Sequence, residues 1–231
     1  MDGVHFNFSD SEATFAVMAV FALQEGLVFP PADLAEPDGL LAMGGDLSTE
    51  RLLLAYRSGI FPWYDGDTPL WWCPDPRFVL FPDHLKVSKS MQQIMKKGQF
   101  RFSINENFSG VIHHCKNIAR NNQHGTWITD EVEHAYTVLH EKGFAHSAEA
   151  WLDNVLVGGL YGVRLGKIFF GESMFSTVSN ASKFAFIRYT QHLKAEGIAL
   201  IDCQVYTQHL ESLGAIMIPR QKFIQILNQL L

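Results

Sequence analysis

The spacing of apolar and polar residues predicts a run of strands in the second half of the chain. Three largely apolar segments of strand length occur at Ala148–Leu152, Val155–Val163 and Lys167–Glu172, and we predict a β-strand in each. Turn-forming residues separate these segments at Asp153-Asn154 and at Leu165-Gly166. Because connections this short join antiparallel neighbours, we expect a three-stranded meander.

Segments with helical spacing stand on both sides of this meander. Asp130 and Glu133 form a capping-box-like start of one helix, which Gly143 ends, and a second helix is predicted from residue 180 to residue 196. An apolar strand at 198–206 follows, and the chain closes with short elements and an amphipathic helix. A meander followed by a helix and a further strand indicates an α+β fold.

The first half contains a short helix followed by a segment rich in aromatic residues and proline. Ser48 is placed to N-cap the helix, and Gly59 is placed to end it. The next stretches read GIFPWY and WWCPDPR, which is typical of a rigid connection. We therefore predict a domain boundary near residue 78, with a small domain over 1–78 and a larger one over 79–231.

Composition is that of a folded protein from a reducing compartment. Of the 231 residues, 47% are hydrophobic and 18% are charged, which supplies ample material for a core. The cysteines, at 73, 115 and 203, lie far apart, which favours free thiols over a disulfide framework. Acidic residues precede the apolar stretch Phe15–Leu23, so we interpret it as a helix or segment packed on the core and not as a signal peptide. We expect a cytoplasmic protein with no membrane segment.

The net charge of −6 conceals a basic segment. Between His84 and Thr129 there are seven basic residues and one acid, Glu106, so this stretch carries +6 and the rest of the chain −12. Charge separated in this way is typical of a surface that binds a polyanion, and it is also compatible with a solvated helix face. A helix through 86–97 would place five polar side chains on one face: Lys86, Lys89, Gln93, Lys96 and Lys97.

The strand at Ile198–Tyr206 changes from apolar to polar along one face. Alternation places Asp202 and Gln204 on this face, about 7 Å apart, and Cys203 on the opposite, core-facing side. This pattern indicates a strand that enters a cleft, and the alternative is a carboxylate paired with a neighbouring helix. Because Cys203 points away, we interpret it as a buried residue and not as a nucleophile.

Glu172 is a lone acid at the end of an apolar strand. The pattern places Phe170 and Met174 on its own face, where an unpaired charge would be very costly. Its partner is either the ammonium group of a ligand or a group of the protein, such as Lys183 or backbone donors. The pattern favours neither.

Ten segments, in order, resemble the leucyl/phenylalanyl-tRNA–protein transferase family. They are EPDGLLAMGGDLS at Glu36–Ser48, GIFPWY, WWCPDPR, GTWIT at Gly125–Thr129, HSAEAW at His146–Trp151, VGGLYGV at Val157–Val163, FFGESMFS, NASK, IDCQ and SLGA. The resemblance implies a small N-terminal domain and a larger C-terminal domain with a GNAT-like acyltransferase fold, with which the predicted meander is compatible. Family members carry Met at the position of Leu160, which bears on the preference among Leu, Phe and Met.

The resemblance also implies the substrates and the residues that bind them. The donor would be leucyl- or phenylalanyl-tRNA, bound by its acceptor end, and the acceptor a protein that begins with Arg or Lys and is thereby marked for degradation by the N-degron route. Asp202 and Gln204 would be the catalytic pair. The substrate-binding positions would be Tyr56, Trp63, Trp127, Tyr136, Leu160, Phe169, Glu172 and Met174. Because strict alternation would place Phe169 and Glu172 on opposite faces of their strand, that strand must bend or end near Gly171 for both to line the pocket. The candidate tRNA-binding residues are Lys86, Lys89, Lys96, Lys97 and Arg101.

An aminoacyl-tRNA ester is already activated, so we expect no cofactor. We also expect no metal, because the consecutive side chains of His113, His114 and Cys115 diverge. We expect a monomer. Two other classes of protein stay open: an acyl-CoA-dependent N-acyltransferase of the GNAT type, and a non-catalytic module that binds tRNA or a degron. The first would be expected to show a glycine-rich turn before the helix at Asn180, where this chain reads STVSN, and the second would not need Asp202.

Overall fold

Two β-sheets organise residues 20–118 and 127–231, which are the residues that this computed structural model describes. The smaller sheet has the order β1-β2-β4-β3. Its strands are β1 (Phe21–Leu23), β2 (Leu40–Gly44), β3 (Phe61–Pro62) and β4 (Leu70–Trp72). Strand β1 is parallel to β2, and the other pairs are antiparallel. Helix α1 (Thr49–Arg57) connects β2 to β3, and the Ser48 hydroxyl caps it by accepting from the Arg51 N–H.

The larger sheet carries the predicted meander and has the order β11-β5-β10-β9-β8-β7-β6. Its strands are β5 (Arg77–Leu80), β6 (Arg101–Ile104), β7 (Ala145–Leu152), β8 (Val155–Leu165), β9 (Ile168–Ser176), β10 (Leu200–Gln204) and β11 (Ile216–Ile218). Strands β9 and β10 are parallel, whereas the other pairs of this sheet are antiparallel.

Six further helices pack on this sheet or connect its strands. They are α2 (Lys89–Lys97), α3 (Phe108–Asn117), α4 (Asp130–Glu141), α5 (Ala181–Ala195), α6 (Gln208–Glu211) and α7 (Arg220–Leu230). Two short 3-10 helices occur at Ala32–Leu34 and Pro82–His84. Within the described ranges, none of the helices has both the length and the apolar character that a bilayer crossing requires.

The larger sheet buries a separate apolar cluster on each face. On one face, Phe169 and Ile201 pack with Phe184 of α5. On the other face, residues of α1, α3, α4 and α7 form a single cluster with the smaller sheet, and Tyr56, Trp71, Tyr136, Phe170 and Phe223 belong to it. The smaller sheet therefore does not have a core of its own.

The predicted α+β class and the antiparallel meander are confirmed. Asp153 and Asn154 both have positive φ angles, 49° and 63°, which is the geometry of a tight hairpin turn. The second turn lies one residue later than predicted, because Leu165 still pairs with Ile168. Strand β9 continues to Ser176, beyond the predicted end at Glu172.

One predicted helix cap and one predicted helix start are wrong. Helix α4 is capped by Thr129, whose hydroxyl accepts from the Val132 N–H at 3.2 Å, while Asp130 pairs with Lys116. The basic helix begins at Lys89 with Ser88 as its cap, so Lys86 precedes the helix and does not share its face. The N–H of Lys86 instead bonds the Leu213 carbonyl at 2.8 Å.

Three predictions fall partly outside the described residues. Only the last part of the apolar stretch Phe15–Leu23 is described, and there Phe21–Leu23 forms β1 beside β2. Arg120, one of the seven basic residues between His84 and Thr129, and the first residues of the GTWIT segment lie outside the described ranges.

Candidate active site

A cleft opens where β9 and β10 separate. The two strands pair only at Leu200–Ile168, Ile201–Phe169 and Asp202–Phe170. Beyond this point β9 remains paired with β8, whereas β10 ends at Gln204. The resulting cleft has a volume of about 660 Å³, and Glu172, Asp202 and Gln204 form part of its wall.

A bulge in β10 turns the chain at Gln204. Asp202 lies opposite Val79 of β5 and Gln204 opposite Phe78, so Cys203 is an extra residue in the strand. Gln204 has a φ of 63°, a conformation that non-glycine residues rarely adopt. Simple alternation, from which the spacing of Asp202 and Gln204 was predicted, therefore stops at this position.

Asp202 is the acceptor in a fully buried ion pair with Arg77. The Arg77 guanidinium donates from Nε to Oδ1 at 2.8 Å and from Nη2 to Oδ2 at 2.6 Å, and both side chains are 0% exposed. Oδ1 also accepts from the Gln204 N–H at 3.0 Å. The neighbouring helix was one predicted alternative for the partner of Asp202, and the partner is instead an arginine of the adjacent strand β5.

Glu172 is held by three donors of the protein. Tyr56 donates to Oε1 at 2.8 Å, Gln204 donates from Nε2 to Oε1 at 2.9 Å, and Tyr136 donates to Oε2 at 3.0 Å. The hydroxyls of Tyr56 and Tyr136 also contact each other. Of the two partners that the sequence left open, a protein group is therefore present, although it is neither Lys183 nor a backbone donor.

Burial is the main cause of the altered acidity of this cluster. Desolvation raises the pKa of Glu172 from 4.5 to about 7, against the opposing effect of the tyrosine hydrogen bonds. Burial and the adjacent Glu172 charge raise the pKa of both Tyr56 and Tyr136 well above 10, so both phenols remain hydrogen-bond donors. Burial likewise raises the pKa of the Cys203 thiol, which disfavours the nucleophilic thiolate.

A bulge in β9 decides which side chains share the face of Glu172. Tyr161 of β8 lies opposite Ser173 and Gly162 lies opposite Gly171, so Glu172 is the extra residue. The prediction that Met174 shares the face of Glu172 is therefore wrong, because Met174 packs with the cluster on the opposite face. The bend expected near Gly171 is present.

The cleft wall is apolar on the face of the sheet that α5 covers. Leu160 and Met174 line it there together with Phe186. Phe169 does not reach this wall; it is fully buried and packs edge-to-face on Tyr189 with ring centroids 5.0 Å apart. Phe169 was predicted to line the amino-acid pocket, and it instead lies behind the residues that form the cleft wall.

Comparison with known proteins identifies the family of this chain. Residues 79–228 match a family model described as leucyl/phenylalanyl-tRNA protein transferase, and residues 45–75 match the model of that family's N-terminal domain. The chain belongs to the leucyl/phenylalanyl-tRNA–protein transferase family. The resemblance and the enzyme class predicted from the sequence, an aminoacyltransferase, are thereby confirmed.

Several transferases of this family are close in sequence. The chain is 58% identical over 189 residues to the one from Syntrophus aciditrophicus, covering 81% of this chain and 79% of that protein. It is 55% identical over 187 residues to the one from Flavobacterium johnsoniae, covering 80% and 88%. Among solved structures, FemX matches with a TM-score of 0.48 at 11% identity, covering 77% and 70%. A GCN5-related N-acetyltransferase from Kribbella flavida matches with a TM-score of 0.39 at 10% identity, covering 73% and 59%.

The four aromatic residues to which the transferase family points occupy two different positions. Tyr56 and Tyr136 are fully buried beneath Glu172. Trp63 and Trp127 line the cleft itself, and Trp63 is 41% exposed. Only the two tryptophans are therefore placed to contact a nucleoside or a peptide directly.

The five basic candidates of this transferase lie outside the cleft wall. Lys86, Lys89, Lys96 and Lys97 are exposed, and the last three belong to α2, which is anchored by buried Met91. Arg101 is paired with Glu106 at 2.6 Å, and its guanidinium lies 4.8 Å from the centre of the Trp151 ring. Arg101 is consequently less available to a phosphate than the lysines.

Sequence reasoning missed Arg77, the one arginine that contacts the Asp202 carboxylate among the described residues. A signal was present, because Arg77 begins the segment RFVL, whose other members are apolar. All four residues of this strand are buried, so its charge had to have a partner.

Proposed function

We propose that the protein transfers leucine or phenylalanine from aminoacyl-tRNA to the α-amine of proteins that begin with Arg or Lys. The observation that carries the proposal is the chain of polar contacts from Asp202 through Gln204 to Glu172 at the wall of a cleft that also has an apolar side. The apolar side chain of the donor would lie against Leu160, Met174 and Phe186, and Trp63 and Trp127 would contact the terminal adenosine or the acceptor.

The reaction joins two substrates and needs no further activation. The α-amine of the acceptor attacks the ester carbonyl, the new C–N bond forms, and the bond from that carbon to the ribose oxygen breaks. The amine gives up one proton and the leaving ribose oxygen gains one. Orientation of the amine against the ester can supply much of the acceleration.

Gln204 and Glu172 are suited to handle the amine and its proton. Because the Gln204 Nε2 donates to Glu172, the amide oxygen is the atom that would accept from the attacking amine. A protonated α-amine has a pKa near 8, so transfer of its proton to a carboxylate whose pKa is about 7 costs only about 1.4 kcal/mol. Asp202, with both oxygens bound to Arg77, would orient Gln204.

The biological setting follows from the same substrates. A product with a bulky apolar first residue would enter the N-degron route in the cytoplasm, where aminoacyl-tRNA is available. The free cysteines at 73, 115 and 203 are all buried and are compatible with a reducing compartment. We expect the protein to act as a monomer.

A transfer assay with matched acceptors tests this function. Labelled Phe-tRNA and Leu-tRNA are offered with two peptides that differ only in an Arg or a Gly at the first position. We expect label on the Arg peptide alone, and less label after ribonuclease has removed the acceptor stem from the donor. Val-tRNA and Ile-tRNA serve as donor controls, because both side chains are branched at Cβ and the pocket should prefer unbranched ones. Val is also one methylene smaller than Leu, a difference that should contribute about 1–3 kcal/mol of discrimination. Equal labelling of both peptides, or labelling from acyl-CoA, would contradict the proposal.

A further inference from the structure

Arg77 is a fully buried charge whose surroundings are arranged around the shape of its guanidinium. The rings of Phe61 and Phe223 lie on it, each with its centre 4.6 Å from the guanidinium carbon. In the plane of the group, Nε and Nη2 form the bidentate contact with Asp202. Stacking between rings and bidentate pairing both require a planar group, which lysine lacks.

Arg77 holds the carboxylate that in turn holds the bulge of β10. Asp202 Oδ1 accepts from Arg77 Nε and from the N–H of Gln204. Gln204 is kept at a φ of 63°, a strained conformation that persists only when neighbouring contacts enforce it. A carboxylate without Arg77 would be an unpaired buried charge and would not keep this geometry.

We infer that Arg77 is a positioning residue of the transfer reaction, which acts through Asp202 to aim the Gln204 amide at the reacting amine. Arg77 lies behind Asp202 and is not part of the cleft wall, so this role differs from that of a catalytic residue. The inference rests on the proposed function, because the effect that it ascribes to Arg77 is an effect on the rate of that transfer.

The test compares Arg77→Ala with the same variant supplied with free guanidinium. Removal of the side chain leaves a space that is lined by two aromatic rings and a carboxylate, and free guanidinium can occupy it. We expect kcat to fall about 100-fold, because misplacement of a reacting group by about 1 Å costs that much, while KM for aminoacyl-tRNA changes little. Guanidinium at concentrations well below those that denature the protein should recover most of the lost kcat, and methylammonium should not.

Arg51→Ala is the matched control. Arg51 is also 0% exposed and is held by Asp46 at 3.4 Å and by the carbonyls of Gln24 and Glu25, away from the cleft. We expect Arg51→Ala to lower the melting temperature and to keep kcat per folded molecule within about twofold of the parent, with no response of kcat to guanidinium.

Arg77→Lys decides the matter if Arg77→Ala does not fold. It keeps the charge and loses the planar group, so a folded Arg77→Lys should lose kcat and keep KM. A folded Arg77→Lys with the parental kcat overturns the inference. The inference is also overturned if the loss of kcat in Arg77→Ala is fully explained by the fraction of unfolded protein. It is likewise overturned if guanidinium restores the stability of Arg77→Ala and not its rate. If the parent protein itself transfers nothing to the Arg peptide, it is the proposed function that fails.

Discussion

At the residue scale, the site contains two carboxylates in contrasting surroundings. Asp202 is paired with an arginine, whereas Glu172 receives only neutral donors. Among the described residues Glu172 has no cation paired with it, and its hydrogen bonds offset only part of the cost of desolvation, so its pKa is raised to about 7. One carboxylate is therefore suited to hold a fixed charge and the other to exchange a proton near neutral pH.

The pH dependence of transfer should report Glu172. If its carboxylate accepts the amine proton, kcat/KM rises as the pH increases through about 7, where the carboxylate form becomes dominant. The Tyr136 hydrogen bond stabilises the carboxylate, so Tyr136→Phe should raise this pKa further and move the acid limb to higher pH. The measurement is a pH–rate profile of both proteins. In Tyr189→Phe, a buried tyrosine that packs on Phe169, the limb should stay in place.

The raised pKa of Glu172 also makes the stability of the folded protein depend on pH. The folded pKa of Glu172 lies above its ordinary value of 4.5, so the folded state binds this proton more tightly. The stabilisation is therefore complete below pH 4.5 and is lost as the pH rises towards 7. The melting temperature of Glu172→Gln should lack this part of the pH dependence, and a slope that is identical in both proteins would contradict the assignment.

Gln204→Asn separates backbone strain from chemistry. Asparagine tolerates a positive φ better than glutamine, so the melting temperature should stay the same or rise slightly. The shorter side chain cannot span to Glu172 as Gln204 does, and we expect kcat to fall by about 10- to 100-fold. Single-turnover rates and thermal unfolding measure the two effects. A variant that kept the parental rate would remove the Gln204 amide from the reaction.

At the element scale, the meander was predictable and the bulges were not. Apolar segments of strand length and the turn residues between them identified β7, β8 and β9, because both signals are local in the sequence. The bulges at Glu172 and Cys203 depend on how each strand pairs with its neighbour, and the local sequence contains no sign of this pairing. Met174 was placed on the wrong face for this reason, while Asp202 and Gln204 were located by their residue types.

Helix α2 tests how the donor tRNA is held. Lys96 and Lys97 are exposed at its C-terminal end, which Gly98 closes in a left-handed conformation. Replacing both with Ala should raise KM for aminoacyl-tRNA and leave kcat nearly unchanged, because these contacts would be equal in the ground and transition states. Each lost phosphate contact should reduce the slope of log KM against log salt by about 0.9.

A short donor supplies the control for this prediction. An aminoacyl-adenosine analogue has no acceptor stem, so the double variant and the parent should use it equally well. Lys222→Ala, which removes an exposed lysine from α7, is a second control that should leave KM for aminoacyl-tRNA unchanged. Equal loss on both donors in the double variant would mean that α2 has a structural role and that tRNA binds elsewhere.

At the scale of the whole molecule, the site is assembled from distant parts of the chain. Tyr56 comes from α1, Arg77 from β5, Tyr136 from α4 and Glu172 from β9, so it depends on how the two sheets meet. The sequence indicated the two segments that hold Glu172 and Asp202. It did not indicate that a tyrosine 116 positions away would bond Glu172, since such a contact exists only in the folded chain.

This assembly bears on the proposed boundary near residue 78. Residues from both sides of it, such as Leu52, Trp71, Tyr161 and Leu200, belong to one apolar cluster. A fragment that ended at residue 78 would expose this apolar surface to water, at a cost of about 25 cal/mol per Å². The chain changes sheet between Trp72 and Arg77, just before the predicted boundary, and we expect the two segments to unfold together.

Unfolding measured with two probes tests this cooperativity. Three of the five tryptophans, Trp63, Trp71 and Trp72, lie before residue 78, whereas the long helices α4 and α5 lie after it. In Trp127→Phe/Trp151→Phe, tryptophan fluorescence reports the first segment alone, while far-ultraviolet circular dichroism reports mainly the second. Because both segments share one core, we expect the two signals to give the same denaturant midpoint, as two-state unfolding requires. Leu52→Ala, which creates a cavity, should reduce the free energy of unfolding by about 2–5 kcal/mol. Both midpoints should therefore fall by the same amount. If Leu52→Ala instead lowered the fluorescence midpoint alone, the first segment would be an independent domain, and Tyr56 would reach Glu172 only by docking.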